Sequence, residues 1–145
     1  THNIIPDNVF LEGTLRTFSE KVKLKAMERI KEISNNISKS FLATCEVEFL
    51  DGYPATINAK NETDIAANVA AEIVGKENVE SKMRPIMGSE DFSFMLNKVP
   101  GSFIFIGAGD KNHKKPCHHA EYDFNDEILP AGTSYWIKLV QHLLK

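Results

Sequence analysis

Apolar and polar positions alternate along VFLEGTLR, residues 9–16. Val9, Leu11 and Leu15 fall on one face, with Glu12, Thr14 and Arg16 on the other. A period of two marks a half-buried strand. The period then lengthens: Met27, Ile30, Ile33, Ile37 and Phe41 recur at helical spacing. This predicts a helix from Thr17 to about Ser40. Thr17 and Glu20 have the separation of a capping box. Alternation returns in TCEVEFL, residues 44–50, with Cys45, Val47 and Phe49 inward and Glu46 and Glu48 outward. Residues 9–50 therefore read as strand, helix, strand. Upstream, Pro6 keeps residues 3–7 out of a helix.

The stretch DGYPATINAKNE is rich in turn residues and places a domain boundary near residues 51–62. A helix of small residues follows over 63–74, with Gly75 as its C′ residue. Residues 84–87 suit a short strand. Ser89 is a candidate N-cap for a helix over 89–99, SEDFSFMLNKV, and Glu90 and Asp91 suit its positive end. Pro100 and Gly101 punctuate. SFIFI, residues 102–106, is a continuous apolar run and predicts a strand buried on both faces. A polar loop over 108–122 leads to a last helix over 126–144. Pro130 lies in its first turn, and Trp136, Leu139, Val140 and Leu143 form its predicted buried face. The order of elements predicts an α/β fold without internal repeats.

Composition narrows the function classes. The 145 residues suffice for one domain with a core. The chain is 42% hydrophobic and 26% charged, which is globular rather than disordered. Its net charge of -3, with lysines interleaved among acids, points away from nucleic acid. No run reaches the roughly 20 apolar residues of a membrane helix, and no signal peptide is evident. Two cysteines, Cys45 and Cys117, fit a reducing cytoplasm. The chain opens THNIIPDNVF, without an initiator methionine, and so is expected to be a piece of something longer.

Candidate chemistry concentrates in KKPCHHAEYDFND, residues 114–126. Thiolate and neutral imidazole suit a borderline ion such as zinc. Neighbours on an extended chain point to opposite sides, so Cys117 and His119 would share a side that His118 does not. One short loop seldom completes a tetrahedral site, and no second CxxC or HxxxH exists; His2, His113 and His142 are scattered. The loop pattern alone is compatible with a local zinc site, one ligand of a site completed elsewhere, and a solvated loop. Glu90 and Asp91 read first as helix N-terminal acids, and Arg16 as a surface arginine. Gly107 and Gly109 lack the GxGxxG pattern, and no GxSxG elbow is present.

Six segments occur in order: NIIPD, GTLRTF, GYPATIN, MGSEDFSFM, PGSFIFIGAG and HHAEYDFNDEILPAGTSYW. Together they resemble the C-terminal half of the zinc-dependent metallopeptidases that include hippurate hydrolase, N-acyl-amino-acid amidohydrolase and the indole-acetyl-amino-acid hydrolases. The resemblance covers nearly the whole chain. It implies the second half of a ferredoxin-like lid over residues 1–56 and the C-terminal α/β portion of a catalytic domain over 57–145. The lid commonly forms a homodimer. In the family the histidine opening the HHPEYDFND-type motif is a ligand of a divalent metal pair; here that position is His118, with His119 a neighbour and Cys117 a bystander. The motif usually has proline where this chain has Ala120. The family's lid asparagine and strand-end arginine, which touch the substrate's carboxylate and polarised carbonyl, resemble Asn3 and Arg16. Such roles suit a planar guanidinium fork and an amide donor. The turn at Gly88, Ser89 and Glu90 resembles one lining the site.

The implied activity is hydrolysis of the amide bond of N-acyl amino acids or small peptide-like substrates, by water that zinc, manganese, nickel or cobalt activates. The family's CGHDGH-type ligand motif, its Glu-Glu general base and the lid's AHAA-type segment have no counterpart in this sequence. The chain alone is therefore expected to be inactive. The rival reading is a non-enzymatic module for dimerisation or metal binding derived from that family. A ferredoxin-like regulatory fold would leave HHAEYDFND and GSEDF unexplained.

Overall fold

A computed structural model describes residues 2–144. The backbone clusters into two compact units, Thr1–Ala55 and Thr56–Lys145. The first is organised around one long helix, α1 (Glu20–Ser40). Its N-cap lies two residues later than the sequence pattern predicts. Ser19 is its N-cap, without a side-chain bond, and Thr17 Oγ1 donates instead to the Ser19 carbonyl at 3.1 Å. The capping box is therefore not formed. At the other end the Ala43 amide reaches the Ser38 carbonyl and the Leu42 amide the Lys39 carbonyl. This is a Schellman closure, with Leu42 in the left-handed region at φ 56° where glycine is usual.

The expected strands are not there. Among the described residues no strand forms, so the strand–helix–strand lid and the α/β class are both corrected. The alternation in residues 44–50 was a true report of facing: Cys45, Val47 and Phe49 are half-buried while their neighbours are exposed. Phe49 lies under the Lys31 ammonium, 5.6 Å from the ring centre, and Asp51 takes Lys23 Nζ at 2.9 Å. Facing is not pairing, however. A strand needs a neighbour's backbone to exchange hydrogen bonds with, and residues 9–16 and 44–50 run without one. Val9 and Leu11 stay 77% and 89% exposed.

The second unit packs α2 (Lys60–Val74) against α4 (Leu129–Leu143). Ala66, Val69 and Tyr135 form its buried centre, with Ile65, Ala70, Ile73, Ile104 and Leu139 around them. Gly75 ends α2 at φ 87°, ψ 146°, a conformation nearly confined to glycine. A 3-10 turn (Asp126–Ile128) leads into α4, with Pro130 in the first turn as predicted. The buried face of α4 keeps one of the four predicted residues, Leu139, and otherwise differs. Tyr135 and Leu139 face α2, whereas Trp136, Val140 and Leu143 are more than half exposed. One residue of rotation, about 100° on a helix, separates the two stripes.

The short helix α3 (Phe92–Leu96) is half the length expected for residues 89–99, and its N-cap is Asp91 rather than Ser89. Residues 84–87 form no strand. Residues 102–106 form none either, but are held by a side chain that imitates one. Asn58 Nδ2 donates to the Phe103 carbonyl and Asn58 Oδ1 accepts the Phe103 amide, both at 2.8 Å. The Ala59 amide adds a bond to the Gly101 carbonyl at 2.9 Å. The run is half-buried through Ile104 and exposed at Phe105 and Ile106, not covered on both faces.

Candidate functional site

The loop from Ala108 to Asn125 carries the histidines. Two tight turns shape its middle. The His119 amide bonds the Pro116 carbonyl at 3.1 Å, and the Tyr122 amide the His119 carbonyl at 3.0 Å. In the first turn His118 is the third residue and has φ 72°. Positive φ at that one position defines a type II turn, which glycine or asparagine normally fills. A histidine there is uncommon, and such backbone positions gather at functional sites. Ala120 is the second residue of the next turn, a position that favours proline.

The three candidate ligands are chemically distinct. The His119 ring accepts the Glu121 amide on Nδ1 at 3.0 Å. The neutral ring then carries its proton on Nε2, and neither nitrogen has a lone pair to give a cation. The exposed Cys117 thiol lies beside the Tyr122 phenol. Burial first, then the charge and hydrogen bond of Cys117, push that phenol's pKa up. The His118 side chain is exposed, and its ring makes no hydrogen bond or ion pair among the described residues. His118 therefore fits one ligand of a divalent cation. It does not complete a site: no group of three or more His, Cys, Asp or Glu side chains is gathered to hold a metal among the described residues.

The base of the loop holds groups that the sequence pattern did not single out. Asp110 Oδ1 accepts the amides of Asn112 and His113 and the His113 ring Nδ1, at 2.7, 2.7 and 2.8 Å. His113 Nε2 lies 3.8 Å from Asp123 Oδ2. Asn125, only 5% exposed, donates through Nδ2 to the Ala108 carbonyl at 3.1 Å and to Asp110 Oδ2 at 3.4 Å. Its Oδ1 accepts the Glu127 amide at 3.1 Å. The one available signal was its position, directly before the predicted start of the last helix, where asparagine is a preferred cap.

The His113 amide, then the Asn112 amide, hold the Asp110 carboxyl below the ordinary aspartate range, against some desolvation. A carboxyl lowered in this way stabilises the fold at all pH values above the unfolded value. The contribution is lost as pH falls through the folded one. Slow exchange of the Asn112 and His113 amides is thus expected to persist from neutral pH to the ordinary aspartate range and to fail below it. A carboxyl resonance of Asp110 titrating at or above the ordinary value would contradict this.

The other predicted site residues fall in both units. Asn3 and Arg16 are exposed residues of the first unit, while Gly88, Ser89, Glu90 and His118 belong to the second. Gly88 and Ser89 are exposed. Half-buried Glu90 turns onto its own helix: Oε1 accepts the Phe92 amide at 3.4 Å, and its carbonyl takes the Ser93 hydroxyl at 2.6 Å. That is the work of a helix N-terminal acid. No helix among the described residues is long and apolar enough to cross a membrane.

Comparison with known proteins gives the frame. Thermostable carboxypeptidase 1 of Saccharolobus solfataricus is 36% identical over 136 residues, 90% of this chain and 33% of that protein. IAA-amino acid hydrolase ILR1-like 4 of Arabidopsis thaliana is 34% identical over 91% of this chain and 31% of its own length. Hippurate hydrolase of Campylobacter jejuni is 29% identical over 99% of this chain and 37% of its own. The chain spans about a third of the length of these relatives. The family model described as peptidase family M20/M25/M40 matches residues 4–142, and the chain belongs to that family.

Proposed function

We propose that this chain works as part of a metal-dependent amidohydrolase that cleaves the amide bond of N-acyl amino acids or small peptide-like substrates. The observation that carries the reading is His118: a free imidazole on a left-handed turn, beside a His119 already committed to the backbone. His118 supplies one ligand to a divalent pair, zinc first, with manganese, nickel or cobalt as alternatives. A bound pair lowers the pKa of water and polarises the amide carbonyl. Arg16 holds the substrate carboxylate through its guanidinium fork, and the Asn3 amide donates to the oxygen on which charge develops. Gly88, Ser89 and Glu90 line the site, with Glu90 fixing the start of α3.

On the same reading residues 1–56 serve the lid and 57–145 the catalytic domain. The exposed Val9, Phe10 and Leu11 support a homodimer through the lid. A one-chain mass for the enzyme in light scattering would count against it. Both cysteines are unbridged, which supports a reducing compartment such as the cytoplasm. The test of the activity is hydrolysis of a panel of N-acyl amino acids by the enzyme that contains this chain. Hydrolysis is expected to fall to background after chelation and to return with added zinc, manganese, nickel or cobalt. Hydrolysis unaffected by chelation would overturn the proposal.

A further inference from the structure

The loop that presents His118 has no apolar anchor of its own. Between Ala108 and Asn125 every side chain is exposed except that of His113, which is half-buried. Its shape therefore rests on hydrogen bonds. The His118 turn is costly for a residue with a Cβ and persists only where its surroundings over-determine it. The side chain that closes the loop is Asn125, which is buried at the point of return. One nitrogen ties it to Ala108, where the loop leaves, and to Asp110, which gathers the Asn112 and His113 amides. The oxygen of the same amide caps the helical segment that follows.

We infer that Asn125 is a positioning residue for His118: it fixes the metal-ligating loop to the start of the last helix by a two-ended amide clamp. The inference rests on the reading of His118 as a ligand, but its structural half does not. Asparagine suits the task because its short amide carries a donor and an acceptor on two separate atoms, so that each end can hold a different segment. Asn125→Asp keeps the acceptor for Glu127 and removes the donors. Asn125→Ser also keeps a good cap oxygen and exchanges the two N–H donors for one hydroxyl on a shorter side chain, without adding charge beside Asp110.

The test is nuclear magnetic resonance on the 145-residue chain and these two variants. Both are expected to keep α4 protected. Both are expected to raise exchange of the Asn112, His113, His119 and Tyr122 amides about tenfold, the scale of one lost hydrogen bond. The strong amide-to-Hα cross-peak within His118, which reports its left-handed backbone, should weaken with them. An effect in Asn125→Asp but not in Asn125→Ser would assign the change to charge repulsion and overturn the clamp. Unchanged loop signals in both would do the same, as would melting of α4, since the residue would then be a helix cap only. In the enzyme that contains this chain, metal affinity measured by chelator competition is expected to fall roughly 10–100-fold in Asn125→Ser, the usual cost of losing an outer-shell partner. If the loop loosens but neither Asn125→Ser nor His118→Ala changes metal affinity, the ligand reading has failed and the clamp has not.

Discussion

Replacing His118 with alanine is expected to leave the fold unchanged and to remove metal-dependent hydrolysis from the enzyme that contains this chain. The side chain is exposed and makes no hydrogen bond or ion pair among the described residues, so its loss breaks no contact that holds the loop. Alanine does keep the unfavourable left-handed backbone, but histidine already bears that strain. The functional loss should exceed the roughly 10–100-fold that follows removal of an outer-shell partner, because a ligand itself is gone. His119→Ala is the matched control: it removes a ring whose Nδ1 serves the Glu121 amide, and should cost loop order and little metal. Metal content and turnover of the two variants decide the matter. Equal losses, or a larger loss in His119→Ala, would transfer the ligand role and refute the assignment to His118.

Helices were legible in this sequence to the extent that they are local. The period over 27–41 located α1, and the small-residue run ending at Gly75 located α2, because 3.6-residue repeats and a glycine stop are properties of the segment itself. The start of α1 was missed because Thr17 and Glu20 match a capping box by spacing alone, while Ser19 sits at the boundary. Apart from Leu139, the face of α4 was missed for a different reason. Trp136, Val140 and Leu143 are as apolar as the stripe actually buried, and only the partner helix selects between them. Strands failed most completely. Alternation in residues 44–50 correctly reports which side chains turn inward, yet a strand exists only with a partner backbone, and the chain spans about a third of its relatives. In the loop, His118 was singled out by its motif. Asn125 was not, because its value lies in joining residue 108 to residue 125, a closure that no local pattern encodes.

The second large effect concerns the chain by itself. The 145-residue chain, purified alone, is expected to show no turnover of N-acyl amino acids above the uncatalysed rate, and no zinc site of submicromolar affinity in a calorimetric titration. His118 offers one imidazole, where catalytic zinc takes three protein ligands. His119 is occupied by Glu121, and two carboxylates of the loop pair elsewhere: Asp110 with His113, Glu121 with Lys115. No third donor gathers around His118 among the described residues. A general base must also lie within hydrogen-bond reach of the water it activates. Glu90, the half-buried acid of the family turn, is turned onto the Phe92 amide instead. A submicromolar site that vanishes in His118→Ala would mean that the loop gathers its own ligands, and the binding-module reading would replace the enzymatic one for this chain. Weak binding together with absent turnover would mean that His118 waits on ligands from other segments. Restored activity on adding a polypeptide that carries the family's remaining ligand motifs would then follow from the same chemistry.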